Sequence, residues 1–277
     1  MNSKKIKHLT LSSKELASFK EEGFALVRRP EIRRFRENLV DELKVVALDI
    51  LKKSGLERDV LRSLGNKSFG DIVDWAFTHE KDRAYTRAMY EVFPTVLTVN
   101  SVLGNPIIRD LARAVGIKTP LAGTVPLIRI DRPEDAIFST PPHQDYWYSM
   151  LSDNSVVMWF PLVPLRNDMG LLQAIPKSHK GGLVTFRPTG AHEPFTAQEM
   201  RDDKDYSELF LGDSDILVFS QYLLHRSGRN VSKHVRVSMQ LRLNDLDTLD
   251  HLTSSFTSVI SNYVKNRQDE VLTKSYR

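Results

Sequence analysis

Hydrophobic positions divide the chain into two parts of different periodicity. From residue 31 to residue 53, Phe35, Leu39, Leu43, Val46, Ile50 and Leu51 recur at helical spacing and predict a long helix with one buried stripe. A shorter helix is expected over residues 11–24. There Ser12 and Glu15 have capping-box spacing, Leu11 and Leu16 can form a hydrophobic staple, and Gly23 sits where the helix should stop. A strand from Phe24 to Val27 follows, and helical patterns return over residues 69–77, 82–97 and 107–115, with Gly116 as C-cap.

After Gly116 the period changes. Leu127 to Ile130, Ile137 to Asp145, Val156 to Leu165, Leu171 to Ile175, Leu183 to Phe186, Asp215 to Phe219 and Val235 to Leu243 are short apolar or alternating runs separated by Gly, Pro, Asn and Asp. Several short strands without intervening helices predict a jelly roll, that is, a cupin-like double-stranded β-helix. No Gly/Ser-rich linker separates the two parts, so the N-terminal helices are expected to pack on the sheet. One domain over residues 1–277 results: a mainly helical part over 1–120, a jelly-roll core over 121–245, and a C-terminal helix over 246–277. Residues 186–210 are polar and weakly periodic, which predicts a lid loop.

Composition narrows the class. Apolar residues make up 41%, enough for a core, and the net charge of +4 is spread too thinly to suggest nucleic acid. The absence of cysteine removes disulfides, thiolate nucleophiles and Cys-based zinc sites, and it fits a reducing compartment. No apolar run approaches bilayer length. The expectation is a cytoplasmic protein acting on a small molecule, with neither membrane nor nucleic acid as partner.

The chemistry concentrates at His143-Gln144-Asp145. On an extended strand residues i and i+2 share a face, so His143 and Asp145 can reach one ion, with His225 as a third ligand from elsewhere in the fold. Two imidazoles and one carboxylate leave about three of six octahedral positions open, the arrangement of non-heme Fe(II) oxygenases. Zinc is the competitor that spacing alone leaves standing. The chain has eight histidines, and any one alone is more often structural than a ligand. His143 stands out because Asp145 shares its face and Pro141-Pro142 imposes an extended approach. From Val235 to Leu243 the chain alternates without a break, placing Arg236, Ser238, Gln240 and Arg242 on one face. In an isolated strand that face would be solvated, whereas in a jelly roll around a metal it lines the pocket, where an Arg grips a carboxylate bidentately.

With these residues, the chain resembles the phytanoyl-CoA dioxygenase family of Fe(II)- and 2-oxoglutarate-dependent oxygenases over about residues 10–30 and 125–245. The likeness rests on Leu11-Ser12 to Gly23-Phe24, on His143-Gln144-Asp145, on the run Gly170 to Lys180, and on His225-Arg226-Ser227-Gly228 followed by Arg236. It implies that His143, Asp145 and His225 bind Fe(II) and that Arg236 pairs with the distal carboxylate of 2-oxoglutarate. Ser227 would hydrogen-bond that carboxylate, Trp159 would sit against the co-substrate, and a further contact would come from Thr124 or Arg129. O2 would complete the reaction, with a small or medium polar metabolite hydroxylated and succinate and CO2 released. Asp145 stands where related halogenases look to have a small residue, which favours hydroxylation. Tyr146, Trp147, Gln240 and Arg242 are the expected substrate contacts. One departure is Pro176-Lys177-Ser178-His179 in place of the family's Pro-Gly-Ser-His, which predicts a changed backbone there, with His179 structural. Activity is expected to fall at acidic pH as His143 and His225 protonate. The rival functions are a cupin-like isomerase or hydrolase that uses the triad without 2-oxoglutarate, and a silent binding protein on the same scaffold.

Overall fold

In the computed structural model, which describes residues 9–135, 139–149, 152–188, 195–198 and 202–249, the first helix begins at the predicted capping box. Glu15 N–H donates to Ser12 Oγ at 3.3 Å, and Ser12 N–H donates to Glu15 Oε2 at 2.7 Å. These bonds open α1 (Ser13–Glu22), which Gly23 closes in the left-handed conformation at φ 87°. Strand β1 (Phe24–Arg28) leads into α2 (Pro30–Lys53), where a proline at the first helical position costs no hydrogen bond. The helical part continues with α3 (Arg58–Gly65), α4 (Phe69–His79), α5 (Ala84–Val92), α6 (Leu97–Ser101) and α7 (Pro106–Ala114). The helix expected over 82–97 is broken. Pro94 lacks an amide hydrogen and crowds the preceding turn, so α5 stops at Val92 and a 3-10 turn over Phe93–Thr95 separates it from α6.

The strands are β2 (Pro120–Ala122), β3 (Leu127–Asp131), β4 (Ser155–Pro161), β5 (Leu172–Ala174), β6 (Phe186–Pro188), β7 (Phe195–Ala197), β8 (Ser207–Leu209), β9 (Asp215–Ser220), β10 (His225–Ser227) and β11 (Arg236–Asp245), with a one-turn helix α8 (Tyr146–Ser149) between β3 and β4. All pair antiparallel. The major sheet runs β1-β9-β4-β11-β2, with β3 also on β11, and the minor sheet runs β10-β5-β8. This is the jelly roll expected from the strand pattern.

Alternation along the strands separates two cores. Val237, Met239, Leu241 and Leu243 of β11, with Val156, Met158 and Phe160 of β4, face the helices and join Leu39, Leu43, Ile72, Phe93 and Leu111 in one apolar cluster. Val157, Trp159, Leu217 and Phe219 point the other way, into the space between the sheets, where Leu172, Ala174 and Leu223 meet them. The α2 stripe is thus a packing surface, and truncating a residue such as Leu43, fully buried, costs about 2–5 kcal/mol.

Three expectations are corrected. Residues 139–145 form no ladder; a single bridge links His143 to His225, because Pro141 and Pro142 have no N–H to donate. Residues 186–210 are not an irregular loop throughout: β6 and β7 form a hairpin and β8 joins the minor sheet. No strand spans Leu183–Phe186, since β6 starts only at Phe186. The C-terminal helix expected over 246–277 lies outside the described residues from position 250 onward.

Candidate metal centre

Among the described residues, His143, Asp145 and His225 are buried and offer ligand atoms that all lie within 4.8 Å of one another. Backbone hydrogen bonds bring them together: His143 N–H donates to His225 O at 2.9 Å and His225 N–H to His143 O at 3.0 Å. Each imidazole is oriented by its own chain, His143 Nδ1 to Pro141 O and His225 Nδ1 to Leu223 O, both at 2.9 Å. A carbonyl only accepts, so Nδ1 carries the hydrogen and Nε2 presents a lone pair. Burial pushes His143 down to about 3, with the neighbouring His225 adding to it, and burial likewise lowers His225, so both rings are neutral near pH 7. The Nε2 of His225 then faces Asp145 Oδ2 at 3.3 Å with no proton between them. Two electron-rich atoms at that distance repel unless a cation lies between, so the donor set fits a metal ion.

Asp145 is fully buried. Burial alone would raise its carboxyl, but the Arg242 guanidinium together with His225 and His143 outweighs it and holds Asp145 below the usual carboxylate range. Gln144 points elsewhere. Its Nε2 donates to Gly182 O at 2.9 Å and Tyr222 O at 2.6 Å, and its Oε1 accepts from Val184 N–H at 2.9 Å. The central residue of the triplet thus ties the chain entering the β6–β7 hairpin to the metal segment. The hairpin is fastened again where Ala197 N–H donates to Pro142 O at 2.7 Å.

A second charged group lies along β11. Arg236 is opposite Asp131 of β3, and Ser238 is opposite Arg129. Arg236 donates to Asp131 Oδ2 from Nε at 3.1 Å and from Nη2 at 2.8 Å, while Arg129 Nη2 reaches Asp131 Oδ1 at 3.2 Å. Burial would raise the Asp131 carboxyl, but Arg236 and then Arg129 outweigh it and keep it ionised. Two guanidinium groups thus share one largely buried carboxylate. Arg236 Nη1 and Ser238 Oγ are both buried and have no hydrogen-bond partner among the described residues. Unpaired buried donors are rare in native structures. Here they share one face of β11 beside two guanidinium groups, a place suited to a carboxylate.

The sequence matches the model of the phytanoyl-CoA dioxygenase family over residues 19–238. The chain belongs to the phytanoyl-CoA dioxygenase family. No curated protein matches the sequence. Solved structures share the fold at low identity. A non-heme monooxygenase, ThoJ in its apo form, superposes with a TM-score of 0.55 at 16% identity, covering 83% of this chain and 76% of that one. The non-heme alpha ketoglutarate dependent carbocyclase SnoK from nogalamycin biosynthesis gives 0.50 at 18% identity, covering 85% and 84%. EctD from S. alaskensis in its apoform gives 0.50 at 16%, covering 89% and 80%.

The residues expected from the dioxygenase family resemblance fall on several elements. Ser227 lies on β10, two positions from His225 and so on the same face, with its N–H donating to Thr140 O at 3.0 Å. Trp159 is 4% exposed within the inner apolar cluster and pairs with Gln240, so it is both core and wall of the interior. Of Thr124 and Arg129, Arg129 is the residue placed in the charged cluster. Tyr146 stacks on Tyr222 with centroids 5.3 Å apart, and Trp147 tilts against Phe186 of the hairpin at 5.2 Å. The buried indole N–H of Trp147 has no partner among the described residues. Gln240 and Arg242 both donate to Asp145. At Lys177, where the family has glycine, the backbone is left-handed, φ 66°. Asp131 and Ser238 carried no signal of their own in the sequence. Ser238 shares the Arg236 face at i+2, but Asp131 becomes visible only through the β3–β11 register.

Proposed function

We propose that this chain is an Fe(II)- and 2-oxoglutarate-dependent oxygenase that hydroxylates a small or medium polar metabolite and releases succinate and CO2. The observation that carries the proposal is the pairing of two sites across β11: a His–Asp–His set of two neutral imidazoles and one carboxylate with converging ligand atoms, and a buried Arg236–Asp131 pair with unpaired donors at Arg236 Nη1 and Ser238 Oγ. An isomerase or hydrolase using the triad alone leaves the second site without a purpose. Iron, once bound, would supply the oxidising power with O2 and 2-oxoglutarate.

The protein's own residues hold and orient. His143 and His225 would bind iron through Nε2 while Pro141 O and Leu223 O fix the rings, and Asp145 would add one negative charge. Arg236, held by Asp131 on its Nε and Nη2, would turn Nη1 to the distal carboxylate of 2-oxoglutarate, with Ser238 donating from Oγ. This reading gives Ser238 the place that the family resemblance gave Ser227. Trp159 would line the interior between the two sites, and Tyr146 and Trp147 with the β6–β7 hairpin would form the substrate wall. Gln144, by holding residues 182–184 against the metal segment, would help keep water from the iron. Asp145 supports hydroxylation over halogenation because it occupies a coordination position that a halide would need.

Anaerobic titration tests the proposal. Fe(II) with 2-oxoglutarate should give a weak visible charge-transfer band that is absent in His225→Ala, while Arg236→Ala should bind metal but lose 2-oxoglutarate. No band from the intact protein refutes the oxygenase function.

A further inference from the structure

The two oxygens of Asp145 are in different surroundings. Oδ1 accepts from Arg242 Nε at 2.7 Å and from Gln240 Nε2 at 3.0 Å, and Arg242 Nη2 lies at 2.7 Å from it as well. Oδ2 has only Gln240 Nε2, at 3.1 Å, and faces the Nε2 of His225. An ionised carboxylate oxygen has about two acceptor positions, so Oδ1 is filled by protein donors and Oδ2 keeps a free lone pair. Both donors come from β11, where Gln240 is 8% exposed and the Arg242 side chain 12%, and Asp145 is fully buried. A guanidinium that close to a carboxylate in a buried site also opposes part of its field.

We infer that Gln240 and Arg242 are positioning residues that lock Asp145 as a one-oxygen metal ligand through Oδ2, with Arg242 withdrawing the charge that Asp145 would otherwise give the metal. The inference rests on the oxygenase reading of the same site. It has two consequences. The carboxylate cannot swing to two-oxygen ligation, so the positions needed by 2-oxoglutarate and O2 stay open. The iron also retains more positive charge than an unneutralised His–Asp–His set would leave it, which strengthens its hold on an anionic co-substrate.

The test uses the whole chain, loaded anaerobically with Fe(II) and 2-oxoglutarate. In Arg242→Gln, which keeps a donor but removes the charge, the visible band should move to longer wavelength, because an uncancelled carboxylate makes iron easier to oxidise towards the bound keto acid. Arg242→Lys should return the band to the wild-type position. Gln240→Leu, checked for folding by circular dichroism, should bind Mn(II) about tenfold more weakly, the usual size of losing an outer hydrogen bond to a metal ligand. An unmoved band in Arg242→Gln, or unchanged Mn(II) affinity in Gln240→Leu, overturns the inference. If Arg242→Gln fails to load with iron, the Mn(II) measurement decides alone. Absence of a band in the wild type refutes the oxygenase reading instead.

Discussion

Asp131 is the most exacting point at which to perturb the charged cluster shared by β3 and β11. Its carboxylate accepts from Arg236 at 2.8 and 3.1 Å and from Arg129 at 3.2 Å, and the side chains of Asp131 and Arg236 are only 11% and 4% exposed. Asp131→Asn preserves the shape but strands the almost wholly buried Arg236 guanidinium without its counter-charge. Breaking a buried pair in this way typically costs about 3–5 kcal/mol. At about 2–4 °C per kcal/mol for a chain of this size, Tm should fall by about 10 °C. Arg236 should also lose its fixed fork, so 2-oxoglutarate affinity should drop at least about tenfold, or ~1.4 kcal/mol, with Mn(II) binding unchanged. Thermal denaturation and calorimetric titration of 2-oxoglutarate into the Mn(II)-loaded protein measure the two effects. The double variant Asp131→Asn with Arg236→Gln should be less destabilised than the sum of the singles by about 1 kcal/mol or more. Additive effects in that cycle, or a Tm within a few degrees of wild type, would falsify the assignment of Asp131 as the group that holds Arg236.

The remaining predictions concern pH and two special backbone positions. The folded pKa of His143 lies at about 3, below its ordinary 6.5, so the unfolded chain takes up the proton first. That contribution to stability is complete above pH 6.5 and is lost as pH falls toward 3, the loss being on the order of 1 kcal/mol by pH 5.5. Metal-free protein should therefore unfold in less urea at pH 5.5 than at pH 7.5. Its Mn(II) affinity should hold over the same interval, which moves the acid limit of activity below the ordinary imidazole range expected from the sequence; a binding midpoint near 6.5 contradicts the burial argument. Lys177 adopts φ 66°, where an L-residue is strained by about 1–2 kcal/mol, and its exposed amine lies 3.3 Å from Glu21 in a pair of small value. Lys177→Gly should raise Tm by a few degrees, and a lower Tm counts against the strain. Gly170 has φ 70°, and a Cβ there would sit 2.4 Å from Gly228 O and 2.7 Å from Arg229 C. Since backbone cannot rotate away, Gly170→Ala should cost more than about 2 kcal/mol and disturb the 225–228 segment; a neutral result in urea denaturation refutes that close approach.

Much of this protein was legible in its sequence because the physics involved is local. The Ser12–Glu15 box, the Gly23 stop and the α2 stripe depend on residues within a turn or two, and they lie where the spacing placed them. The unbroken alternation of β11 marked out the face bearing Arg236, Ser238, Gln240 and Arg242, and the His143-Gln144-Asp145 triplet with His225 named three residues that the fold brings within reach of one ion. Where local chemistry competed with pattern, pattern lost: Pro94 cut a helix, and Pro141-Pro142 reduced an expected strand to one bridge. What only the tertiary structure decided is how the polar groups of β11 are shared out. Register sets Asp131 against Arg236 and packing turns Gln240 and Arg242 onto Asp145, so the strand serves one site at its start and the other at its middle. Those pairings join residues about a hundred positions apart, and no periodicity in the chain encodes which buried charge meets which; closure of the two sheets on each other does.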